Sequence, residues 1–168
     1  MPLTPFHLGP ALLVGLVLFS FLDFPTFIIA NVILDIEPIL VLFLNLNYPL
    51  HGFFHSFLGG TIIALLLAAV MSKIGKYFSP LLSAFKLEQK TSFKNILAAS
   101  LSGIYIHILL DSRMHADIQP FYPLTVNPLL DTSLSSTIGI YMLCIWSFIV
   151  GIAVYAIKLF LSWKKERS

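Results

Sequence analysis

The chain has 168 residues, 58% of them hydrophobic and 11% charged, with a net charge of +2 and a mean hydropathy of +0.92. A soluble domain carries about a quarter charged residues, so this composition excludes a water-covered globule and makes lipid the solvent for much of the surface. The single cysteine, Cys144, excludes an internal disulfide and a cysteine-rich metal site.

Five apolar stretches follow one another in a single polytopic domain covering residues 1–168. The first runs from Leu8 to Leu22 and ends at the turn Asp23-Phe24-Pro25. No basic region precedes it and no small-residue cleavage site follows, so it is expected to be retained. The second runs from Thr26 to Leu46 and is interrupted by Asp35, Glu37 and Pro38. Proline removes a helical hydrogen bond, which predicts a break near Pro38. The third stretch spans Leu50 to Met71 and the fourth Ser92 to Leu110. A polar, proline-containing connection from Asp111 to Ser133 leads to the fifth, Leu134 to Trp163. About 20 apolar residues cross a bilayer as helix. The expected fold is therefore an all-α integral membrane bundle of about five hydrophobic helices, the second one broken.

Basic residues set the topology. Lys73, Lys76, Lys86, Lys90 and Lys94 fall between the third and fourth stretches, and Lys158, Lys164, Lys165 and Arg167 lie at the C-terminus. Arg113 alone falls on the other side of a five-span arrangement. The expected location is the inner membrane, with the N-terminus outside and the C-terminus cytoplasmic. Lipids are then the environment and a possible substrate, and no nucleic-acid partner is expected.

This topology brings titratable side chains remote in sequence to one depth. His7 starts the first stretch, Asp35 and Glu37 interrupt the second, His51 and His55 open the third, and His107 and Asp111 close the fourth. Such groups are costly inside a membrane unless they satisfy one another, and a shared divalent metal does so. His51 and His55 are four residues apart, as are His107, Asp111 and His115, the spacing of one helix face. Imidazole and carboxylate ligands suit zinc, with manganese or iron as alternatives. The candidate metal ligands are His7, Asp35, His51, His55, His107 and Asp111. Glu37 is a candidate base and Arg113 a candidate phosphate clamp. Whether His115 and Asp117 join the set is open.

In order along the chain stand Thr4-Pro5-Phe6-His7, Leu34-Asp35-Ile36-Glu37, His51-Gly52-Phe53-Phe54-His55-Ser56, His107-Ile108-Leu109-Leu110-Asp111 and Pro120-Phe121-Tyr122-Pro123. This series resembles the YdjM-type family of membrane-bound metal-dependent hydrolases, itself distantly similar to zinc-dependent phospholipase C. The family has proline before its first aspartate, where Leu34 stands here, an aspartate where Glu37 stands, and an arginine after its first histidine, the place that His51 takes in this chain. The resemblance implies an all-α zinc-dependent phosphoesterase, with a lipid headgroup as possible substrate. A metal-ion or proton transporter using the same His/Asp cluster is the alternative, and a haem carrier a third reading. An HExxH metalloprotease motif is absent.

Overall fold

The computed structural model describes residues 6–166, and among these there is no strand. Seven helices follow in order: α1 (Leu8–Val17), α2 (Phe24–Ala30), α3 (Ile36–Phe43), α4 (Phe57–Ile74), α5 (Ser79–Ala84), α6 (Phe93–Ser112) and α7 (Leu134–Glu166). Short 3-10 turns at Ile33–Asp35, Phe53–His55 and Gly75–Phe78 lie between them.

Helix starts follow the local chemistry. The Asp23 carboxylate accepts from the Thr26 N–H and caps α2. The Ser56 hydroxyl accepts from the Gly59 N–H and caps α4. At α6, Ser92 and Asn95 cap each other's backbone N–H groups reciprocally.

Four stretches are long and apolar enough to cross a membrane: Phe24–Phe43, Phe57–Ala84, Phe93–Ser112 and Leu134–Lys164. The first of the five expected segments is different. At 10 residues, α1 extends only about 15 Å, short of a hydrocarbon core of about 30 Å, and it packs along α7 instead.

The expected break in the second segment lies one turn ahead of Pro38, in the 3-10 turn Ile33–Asp35. Proline cannot donate to the carbonyl four residues back, and its ring clashes with that carbonyl. For Pro38 that carbonyl belongs to Leu34, so the distortion falls upstream. Pro38 itself sits in the first turn of α3, where a missing N–H costs nothing.

α2 and α4 pack against α6, around Ala30, Leu34, Ala64, Leu67, Ile104 and Ile108. A second cluster of Ala11, Leu22, Phe27 and Ala99 joins α1 to α2 and α6. α7 stays peripheral. Only 17% of its apolar window is buried against 44% for Phe24–Phe43, so most of α7 is left uncovered by the rest of the protein.

α4 and α6 run antiparallel, which puts the lysine-rich connection and the histidines at opposite ends of the bundle. At the lysine end, the Gln89 amide accepts from the Phe24 N–H (2.8 Å) and donates to the Leu22 carbonyl (3.0 Å) and to that of Phe19. At the histidine end, the segment after α6 folds over the segment before α4. There the Phe57 N–H donates to the Pro120 carbonyl (2.8 Å), and the Phe53 and Tyr122 rings meet edge to face.

Gly103 permits a close approach of α2 to α6. A Cβ there would lie 2.6 Å from the Ala30 Cβ and 2.9 Å from the Asn31 Nδ2. Gly103→Ala should therefore part the two helices and destabilise the protein by about 1–3 kcal/mol. Gly75→Ala, with open space around it, should be nearly neutral. Thermal unfolding of the two variants in detergent compares them directly, and equal midpoints would refute this packing.

Candidate metal centre

Two of the site's side chains come from one helix face. His107 and Asp111 lie four residues apart near the C-terminal end of α6, with the His107 Nε2 3.3 Å from the Asp111 Oδ2. The interrupted second segment adds Asp35 at the end of its 3-10 turn, its Oδ1 3.8 Å from the His107 Nε2. The Phe53–His55 turn adds His55 immediately before the Ser56 cap. Asp35, His55, His107 and Asp111 each present a ligand atom within 4.8 Å of the others, and all four residues are buried. This group could hold a metal ion.

His7, at the N-cap of α1, completes the surroundings. Its ring stacks on that of His107 with centroids 4.2 Å apart, and its Nε2 lies 3.1 Å from the Asp111 Oδ1.

Hydrogen bonds fix which ring nitrogens face the centre. The break after α2 leaves the Asn31 carbonyl available, and the His107 Nδ1 lies 2.8 Å from it. A carbonyl can only accept, so Nδ1 carries the proton and Nε2 of the neutral ring keeps its lone pair. The His55 Nδ1 likewise pairs with the Glu37 Oε2 at 2.7 Å. Both Nε2 atoms, together with Asp35 Oδ2 and the Nδ1 of His7, are buried without a hydrogen-bond partner, and Asp111 Oδ1 is met by the His7 Nε2. Buried polar groups ordinarily have partners, and leaving one unsatisfied costs about 1–3 kcal/mol, more when it is charged. Imidazoles oriented through Nδ1 by a carboxylate or a carbonyl, beside free carboxylate oxygens, are the donor set of zinc and similar divalent ions.

The structure separates His51 from this group. Four-residue spacing suggested one helix face for His51 and His55, but α4 begins only at Phe57, and His51 lies in the preceding bend. Its Nδ1 is 3.1 Å from both oxygens of Asp117. Its ring lies beside that of His115, with centroids 4.2 Å apart, and His51, His115 and Asp117 form a second group of possible metal ligands. The two groups are neighbours: the His51 and His55 rings meet edge to face at 4.8 Å. His115 does not continue the α6 face either, because the helix ends at Ser112. Partial burial pushes the Asp117 carboxyl up, yet the hydrogen bonds and charge of His51 hold it below the usual carboxylate range.

Glu37 touches His55 and stands outside the ligand group, so it positions the imidazole. The Arg113 guanidinium is half exposed and held by Asp131 at 3.5 Å and by the Ser136 hydroxyl at 3.2 Å. In the motif series quoted above, Thr4 and Pro5 lie outside the described residues, as does Arg167 of the C-terminal basic group. Asn31 was missed at the level of sequence. It acts through its backbone carbonyl, which no side-chain signal marks.

No family model, no curated protein and no solved structure matches this chain. Fold and site together define an all-α protein with membrane-spanning helices and a buried imidazole–carboxylate cluster able to hold a metal.

Removing the Glu37 carboxylate should loosen His55. Glu37→Ala is expected to weaken zinc affinity about 10–100-fold, as loss of such outer partners does elsewhere. Glu37→Gln, whose amide oxygen still accepts from Nδ1–H, should lose less. Competition against a chelator of known affinity measures both, and unaltered affinity in the two variants would exclude the positioning role.

Proposed function

We propose that the protein is a membrane-embedded metal-dependent hydrolase of phosphoesters, with lipid headgroups as substrate and zinc as the metal. The carrying observation is that Asp35, His55, His107 and Asp111 are buried together, with His55 Nε2, His107 Nε2 and Asp35 Oδ2 lacking hydrogen-bond partners. When bound, the metal would lower the pKa of a coordinated water from 15.7 toward about 7 and polarise the phosphoryl oxygen. His55 and His107 offer Nε2, Asp35 and Asp111 offer oxygens, and His7 steadies the Asp111 carboxylate from its far side. Arg113, two residues beyond Asp111, would steady the phosphate after exchanging Asp131 for it.

A lipid substrate is supported by an apolar groove beside the cluster. Its volume is about 440 Å³ and its lining includes Ile33, Ile36, Leu40, Phe54 and Ile63. Glu37 is its one carboxylate, the same Glu37 that holds His55. An acyl chain in this groove would bring its headgroup to the metal without leaving the bilayer. The motif series resembling the YdjM-type hydrolases points the same way. By the lysine distribution, the centre would face the extracytoplasmic side of the inner membrane.

A transporter would need polar groups continuing toward the lysine end. Between His107 and that end the packed residues are Ala64, Leu67, Ala68, Met71, Ile96 and Ile104, and the buried Ser100 hydroxyl is already bonded to the Ala64 carbonyl.

Purified wild-type protein should carry zinc, hydrolyse phospholipid in mixed micelles and lose thermal stability in EDTA. A ligand present at 100 times its dissociation constant stabilises by about 2.7 kcal/mol. His107→Ala and Asp111→Ala should each abolish zinc binding at the buried cluster and hydrolysis. Undiminished metal content in both variants, or no hydrolysis by the zinc-loaded wild type, would defeat the proposal.

A further inference from the structure

We propose that His51, His115 and Asp117 form a second divalent-metal site, open to solvent, beside the buried one. The three residues each present a ligand atom within 4.8 Å of the others. Two imidazoles and one carboxylate are the protein ligands of hydrolytic zinc centres, which keep a fourth position for water. The burial pattern suits an entry position: His51 is buried, His115 half-buried and Asp117 exposed.

The surrounding fold holds this group in place. The His51 N–H donates to the Asp117 Oδ2 at 3.0 Å, so the two segments are pinned at the site itself. A few residues further along each segment, the Phe57 N–H bond to the Pro120 carbonyl and the contact of the Phe57 and Phe121 rings hold them again. A carboxylate needed merely to cap the bend would require no second imidazole, yet the His115 ring is packed against that of His51.

The edge-to-face contact of His51 with His55 makes the two sites neighbours. Paired ions can clamp both the attacking and the leaving oxygen of a phosphoryl displacement. That catalytic consequence rests on the hydrolase reading, whereas metal binding at the second site does not.

Zinc stoichiometry by equilibrium dialysis of the purified full chain tests the site, with thermal unfolding as the check on folding. Wild type should bind about two ions per chain. His115→Ala and Asp117→Asn should each bind about one and keep the unfolding midpoint of the metal-free wild type. His107→Ala should also bind about one, with the loss at the buried cluster. Cobalt titration should show two visible absorption bands of distinct affinity in wild type, the band that His115→Ala lacks being the one His107→Ala keeps. A stoichiometry lowered by His115→Ala but untouched by His107→Ala would uphold this site and sink the buried one. Equal zinc content in wild type, His115→Ala and Asp117→Asn would overturn the proposal.

Discussion

Imidazole and carboxylate groups withdrawn from water into an apolar helix bundle must be satisfied by something, and the histidine end of this protein is organised around that requirement. His7, Asp35, His55 and the His107–Asp111 pair come from four separate places in the chain, and each residue is nearly or fully buried. Hydrogen bonds within the protein satisfy the outward sides of His55 and His107 and leave the inward atoms facing one another. An ion pair alone is a poor remedy at such depth, because desolvation offsets much of the Coulombic gain. A shared cation answers several ligands at once.

The irregular backbone serves the same end. The interruption between α2 and α3 frees the Asn31 carbonyl for His107 and turns the Asp35 carboxylate inward. Such backbone is tolerated at membrane depth where protein surrounds it. The 3-10 turn before α4 does the equivalent for His55. Below the cluster, apolar packing closes the bundle toward the lysines, while beside it the groove at Glu37 opens sideways. The groove thus reaches the centre's edge at Glu37, the partner of His55.

Much of this was legible in the sequence. The all-α class followed from composition, and the break followed from Pro38, displaced by one turn because proline acts on the carbonyl behind it. The α6 pair was readable because His107 and Asp111 sit inside a continuous helix, where residue spacing translates into geometry. His51 was not readable in that way. Periodicity carries information only where the backbone is regular, and Gly52 and the 3-10 turn break the regularity between His51 and His55. The partnership of His51 with Asp117 depends on a fold-back between segments 66 residues apart, which no local pattern encodes. Asn31 acts through its backbone carbonyl, so its side-chain identity advertised nothing of its role.

The Gln89 amide has a mechanical consequence. By bonding the backbone of Phe19, Leu22 and Phe24 together, one side chain welds the lysine-bearing connection to the hairpin that starts α2. Seven residues of α2 then form a rigid strut from that weld to Asn31. The lysine-bearing connection and the carbonyl that pairs with His107 are thereby joined through a single short helix.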